Sequence, residues 1–151
     1  MLNFKKGLTI LEVIIVLSIL GFLIAIVLPS FKTMRDNQIL KSAISNVSSS
    51  LNKAKSQTLA SVDSSEYGVH FEFDKIIIFK GQTFSSSDAN NENILISPPA
   101  FISAINLTDG VADLYFNKLS GTPDRTGTIT ISISSLSKII TISATGAISV
   151  N

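Results

Sequence analysis

The chain has no cysteine among its 151 residues and a single histidine. Without thiols there can be no disulfide staples, thiolate metal sites or cysteine nucleophiles, although this absence says nothing about redox compartment. No Gly-Lys-Ser/Thr phosphate cradle occurs, and no acid, base and nucleophile stand in a recognisable constellation. The chain therefore reads as a non-enzyme that calls for no cofactor and no metal. Strong charge is also missing, since the formal net charge is only +1. That figure conceals a split. Residues 1–60 hold seven basic and two acidic side chains, +5, whereas residues 61–151 hold five basic and nine acidic ones, −4. Nucleic-acid affinity depends on Lys and Arg neutralising phosphates, so the acidic distal part weighs against it.

What the chain does have is one long apolar run. Leu8 to Leu28 is 21 residues, about 31 Å of helix at roughly 1.5 Å per residue, which matches a bilayer hydrocarbon core of about 30 Å. Within it Glu12 is the one carboxylate. A charge at the centre of such a segment costs roughly 2.5 to 3.5 kcal/mol on insertion scales, so an ionisable residue here is a functional hypothesis by default. Near the start of the helix, Glu12 can snorkel and lower that cost. A secretory signal has an apolar core of only about 7 to 15 residues followed by a small-x-small cleavage site. Leu28-Pro29-Ser30-Phe31 is a poor site of that kind. A plain membrane anchor accounts for the hydrophobicity but leaves Glu12 and Gly7 unexplained. Lys5 and Lys6 flank one end and Lys32 and Arg35 the other, which blunts the positive-inside rule. The short leader and long downstream part favour N-in, C-out insertion.

Gly7-Leu8-Thr9-Ile10-Leu11-Glu12, preceded by Lys5-Lys6, resembles the leader-peptidase site and N-terminal helix of type IV pilins and type II secretion pseudopilins. The resemblance covers about the first fifth of the chain. It implies cleavage after Gly7 by a prepilin peptidase, N-methylation of the new amino terminus on Leu8, and a filament-assembly role for Glu12 at the fifth mature position. Gly21 and Pro29 fall where many pilins carry a helix-softening Gly and a Pro. Leu8 departs from the commoner Phe. The implied partners are the prepilin peptidase, other pilin or pseudopilin subunits, an inner-membrane assembly platform and membrane lipid. The implied location is the cytoplasmic (inner) membrane with the C-terminal domain outside the cytoplasm. Some pilins close a C-terminal disulfide loop, which this chain cannot do.

After Pro29 the apolar pattern becomes one-sided. Pro29 removes a backbone donor and disfavours helical geometry at Leu28, so a kink or short unwound stretch is expected there. Between Ser30 and Val62, Leu40, Ile44, Val47, Leu51 and Ala54 recur at spacings of four and three, the stripe of an amphipathic helix that packs on a sheet. From Glu66 the period falls to two. Tyr67, Val69, Phe71 and Phe73 alternate with Gly68, His70 and Glu72, and Asp74-Lys75 turns the chain into Ile76-Ile77-Ile78-Phe79, a hairpin. Gln82 to Asn93 reads as a surface loop. Ile94–Ile96, Phe101–Leu107 and Val111–Phe116 are further strands, the last two joined at Asp109-Gly110. The β-branched runs 128–133 and 138–142, then Gly146 and 147–150, suggest an antiparallel meander.

Phe116, Gly121, Gly127, the strand pair 128–131 and 139–142, and Gly146-Ala147-Ile148 resemble the C-terminal half of the GspH/FimT-type minor pseudopilin domain. The whole then reads as an α+β, pilin-like fold: leader 1–7, membrane-spanning and filament-core helix 8–29, amphipathic helix 30–62, and a β-rich domain 63–151 with one antiparallel sheet. The function implied is that of a minor pilin or pseudopilin of a type IV pilus or type II secretion system. A DNA-binding minor pilin used in uptake is the alternative. Elsewhere, His70 beside Glu72 can in principle move a proton, though an ordinary cross-strand residue is the simpler reading. Asp88 to Glu92 offers oxygen ligands without the glycine and spacing of an EF-hand. Asn117, Asp124 and Arg125 flank the loop from Gly121 to Gly127, where a subunit contact or plain solvation are both open.

Overall fold

A computed structural model describes residues 9–151. The chain divides into two compact units, one ending at Arg35 and the other running from Asp36 to Asn151. A single helix, α1 (Ile10–Leu59), contributes to both. It runs through Gly21 and Pro29 without the unwound stretch expected there. Proline removes one hydrogen bond from the ladder, and the helix continues without it.

In the second unit α1 presents the expected stripe. Leu40, Val47, Leu51 and Ala54 are buried, Ile44 packs at their edge, and Ala43 fills the same face. Ala43, Ala54, Leu40 and Leu51 favour helix, and packing of the whole stripe on a sheet offsets the lower propensity of the β-branched Ile44 and Val47. The helix stops at Leu59, three residues before the expected end. Ser61, Asp63 and Ser64 have φ of 50°, 48° and 51°, left-handed backbone that no α-helix continues. Thr58 anchors this reversal. Its buried hydroxyl donates to the Ala54 carbonyl at 2.9 Å and accepts the Tyr67 N–H at 2.9 Å.

Eight strands follow: β1 (Tyr67–Phe71), β2 (Lys75–Lys80), β3 (Glu92–Leu95), β4 (Phe101–Leu107), β5 (Asp113–Tyr115), β6 (Gly127–Ile133), β7 (Leu136–Ile142) and β8 (Ile148–Val150). They form two antiparallel sheets rather than one. Sheet A has the order β3-β2-β1-β5 and sheet B the order β4-β6-β7-β8. The β1–β2 hairpin and the β6–β7–β8 meander are as the sequence pattern predicts. The division between sheets falls at the expected turn Asp109-Gly110, which joins β4 to β5. After Leu107 a short 3-10 turn, with Asp109 at φ 70°, carries the chain away from sheet B. β5 then pairs with β1, while β4 pairs with β6 through a bulge between Ile102 and Ala104. Both outcomes bury apolar side chains, Leu107 from β4 and Leu114 from β5.

The core joins both sheets to the helix stripe. Val69, Phe71, Ile76, Ile78, Leu114 and Phe116 come from sheet A and its continuation, and Ile129, Ile131, Ile133, Ile140 and Ile142 from sheet B. The second unit is thus an α+β layer structure in which the core-facing positions of β1, β6 and β7 follow the period of two, while the bulge in β4 shifts its core face between Ile102 and Ile105.

Candidate functional site

The first unit supplies the residues on which the assembly reading rests. Thr9 stands just before α1, and its hydroxyl accepts the Glu12 backbone N–H at 3.2 Å. This is the first half of a capping box, in which a Thr at the N-cap precedes a Glu three residues later. Glu12 is the acidic residue of the first turn, where the positive end of the helix dipole stabilises a carboxylate. Local helix chemistry therefore gives Glu12 a second reason to be where it is. The Thr-x-x-Glu spacing carries this signal in the sequence, and reading Glu12 only as an intramembrane charge overlooks it. Gly7 and Leu8, the expected cleavage and methylation positions, lie outside the described residues.

Beyond Glu12 the helix is apolar on every side, and among the described residues of the unit nothing covers it. From Ile10 to Val27 its large apolar side chains are 41% to 81% exposed, and Phe31 and Met34 are exposed as well. Its one hydroxyl in mid-run, Ser18, donates to the Ile14 carbonyl at 2.8 Å, so it makes no demand on a neighbour. A β-carbon added at Gly21 would meet nothing within 4 Å, leaving a notch in the helix surface. An all-round apolar helix belongs in a membrane or in the core of a larger assembly. By length and composition, α1 has a segment able to cross a bilayer.

The second unit distributes its polar candidates differently from the sequence expectation. Glu72 lies just beyond β1 and pairs with Lys75 at 3.2 Å rather than with His70. His70 faces Ile77 on one side and Asp113 on the other, and burial holds its pKa below the ordinary value. Asp88 accepts the Asn90 N–H and side-chain amide, each at 2.9 Å, and those bonds hold its carboxyl below the usual range. Glu92 points instead to Lys53, 2.6 Å away. The Asp88 and Glu92 carboxylates thus serve loop closure and a helix-to-strand ion pair.

Asn117, Asp124 and Arg125 form the frame of the glycine-containing loop. The Asn117 amide donates to the Thr122 carbonyl at 3.1 Å. Asp124 accepts the Tyr115 N–H at 2.8 Å and meets Arg125 at 2.7 Å, with Asp113 3.8 Å from the same guanidinium. Burial nevertheless pushes the Asp124 carboxyl up, outweighing those hydrogen bonds and the neighbouring Arg125. Lys55 ties the neighbouring β7–β8 turn to α1, donating to the Gly146 carbonyl at 2.9 Å. Gly146, at φ +72°, also lies so close that an added β-carbon would sit 2.5 Å from the Gly121 carbonyl oxygen. Only glycine fits that approach.

No protein-family model, curated protein or solved structure matches the chain.

Proposed function

We propose that the chain is a structural subunit, a GspH/FimT-like minor pilin or pseudopilin, of a type IV pilus or type II secretion system. The observation that carries this reading is the uncovered apolar helix with one carboxylate in its first turn. Before assembly, the segment Leu8–Leu28 lies across the inner membrane with the second unit outside the cytoplasm. A prepilin peptidase cleaves after Gly7 and methylates the new Leu8 amine. On assembly, the helix moves from lipid into a filament core, where its apolar faces meet those of neighbouring subunits.

Glu12 sets the register in this scheme. A buried carboxylate without a partner is costly, whereas one facing an ammonium can be stabilised. The Leu8 amine of a neighbouring subunit is such a partner, and the pairing favours one axial stagger over the others. The uniform apolar surface cannot do this, because sliding one greasy helix along another changes the buried area little.

A DNA-binding role is the weaker reading. In the second unit Lys53, Lys75, Lys80, Lys118 and Arg125 each lie 2.6 to 3.9 Å from a carboxylate. Cations already neutralised in this way offer little to a phosphate backbone.

Mild detergent extraction followed by affinity purification of the full chain tests the proposal. Other subunits bearing a comparable apolar N-terminal helix, together with assembly-platform proteins, are expected to co-purify. Recovery of the chain alone from cells that hold such machinery would overturn the assignment.

A further inference from the structure

The β1–β2 hairpin of sheet A is buried on both faces, and its second face is covered by a loop. Val69, Phe71, Ile76 and Ile78 join the core against α1, but Ile77 and Phe79 are also buried, at 4% and 1% exposure, without belonging to that core. They share the outer face of the sheet with Gly68 and His70, their direct cross-strand partners. The loop at residues 81–91 folds back over this face through Phe84. The Phe84 ring stacks on His70 with centroids 3.9 Å apart and planes 7° from parallel, and it meets Phe79 edge-on at 5.7 Å. Gly68 makes room for the arrangement, since an added β-carbon would lie 2.3 Å from the Phe79 ring.

Little else holds the loop down. The hydrogen bonds described for residues 82–91 stay within the loop: Asp88 to Asn90, Asn91 to the Ser85 carbonyl, and Ser85 to Ser87. Its two ends are fixed, by the Gly81 N–H on the Glu66 carbonyl at 2.8 Å and by the Lys53–Glu92 pair. Gly81 itself has φ +104°, a hinge-like conformation that glycine adopts readily. The loop is therefore a self-contained body whose described attachment between those ends is the aromatic cluster around His70.

His70 Nδ1 is buried and has no hydrogen-bond partner. A neutral imidazole tolerates this as an unused acceptor, whereas the imidazolium places an N–H there with nothing to receive it. The charged groups facing the ring are Asp113 from β5 and Glu72 and Lys75 from the β1–β2 turn. From β2 it meets Ile77, and from the loop the uncharged Phe84 ring. Burial outweighs the two carboxylates, so the neutral form is favoured when the loop is docked.

We propose that the His70–Phe84 stack is an acid-sensitive latch, which holds the 81–91 loop on sheet A while His70 is neutral and releases it, uncovering Ile77 and Phe79, when His70 is protonated. The docked state binds fewer protons than the open one. Docking is therefore fully favoured above the open-state histidine value of about 6.5 and is lost as pH falls through the lower docked-state value.

Hydrogen–deuterium exchange of the full chain in detergent micelles, corrected for intrinsic pH effects, tests the latch near pH 7.5 and near pH 5, either side of the ordinary histidine value. Protection of the 82–91 amides is expected to fall severalfold at the lower pH, because the open state takes up the proton more readily than the docked one, while β6 and β7 stay protected. His70→Gln should make loop protection independent of pH over this range. Phe84→Ser should leave the loop open at both values with β6 and β7 unchanged. Undiminished loop protection of the wild-type chain near pH 5, or a His70→Gln variant that still loses it, would overturn the proposal.

Discussion

Replacing Glu12 by Gln is expected to reduce incorporation into filaments by about 100-fold or more, with membrane insertion intact. The size follows from what the pairing is worth. Removing one partner from a buried ion pair costs roughly 3 to 5 kcal/mol, because the other charge is left without compensation, and each 1.4 kcal/mol is about tenfold in an equilibrium constant. Insertion should not suffer, since a neutral side chain enters a bilayer more readily than a charged one. Gln is a sharper test than Ala for a specific reason. The Thr9 hydroxyl already caps the Glu12 N–H, and either Glu or Gln can complete a capping box. If Glu12 mattered only as the reciprocal partner of the Thr9 cap, Glu12→Gln would assemble normally and Glu12→Ala would lose only about 0.3 to 1.5 kcal/mol of helix stability. If it pairs with a neighbouring amine, both variants fail together. Quantifying subunit in sheared or detergent-resistant filaments against subunit in membranes separates these outcomes.

The second large effect concerns folding of the distal unit. Leu51→Ala is expected to lower its unfolding free energy by about 2 to 5 kcal/mol, the usual range for truncating a fully buried leucine and leaving a cavity. Leu51 sits at the centre of the α1 stripe, with no exposure, between Val47 and Ala54. Leu59, in the last turn of the same helix, is 46% exposed, and Leu59→Ala should cost well under half as much because less apolar surface leaves the core. Thermal melts of the two full-length variants in micelles, followed by near-ultraviolet circular dichroism, measure the contrast. Equal destabilisation would mean that the helix does not pack through the stripe described.

Much of this architecture is legible from periodicity. The 4-3-4-3 spacing from Leu40 to Ala54 identifies the buried helix face, and the alternation from Tyr67 to Phe71 gives the hairpin with Ile76 to Phe79. Phe101–Leu107 coincides with β4. In each case a local pattern and its burial agree, because one face meets one core. Where side chains serve more than one surface, pattern reading fails. Phe73 continues the alternation of β1, yet the strand ends at Phe71 and the Glu72 N–H turns back to the Lys75 carbonyl. Phe73 is left 66% exposed, stacked on Phe101 at 4.9 Å. The unbroken apolar run of β2 hints at burial on both faces, but nothing local indicates that Phe84 supplies the second cover.

Sheet membership is also invisible to local patterns. Asp109-Gly110 looks like a hairpin turn, and whether β5 returns to β4 or crosses to β1 depends on partners more than forty residues away. The candidate site divides in the same manner. Glu12 and the apolar run are plain in the sequence, and Thr9 is too once the capping spacing is sought. The ties between Lys55, Gly121 and Gly146 join residues distant in the chain, and only the folded unit brings them together.

Mass spectrometry of the N-terminus of protein extracted from membranes of cells with an active prepilin peptidase tests the central claim most directly. A processed subunit begins at Leu8 and carries one added methyl group on its amino terminus. A chain that retains Met1 through Gly7 in those cells would contradict cleavage, deprive Glu12 of its proposed partner, and leave the apolar helix as a membrane anchor alone.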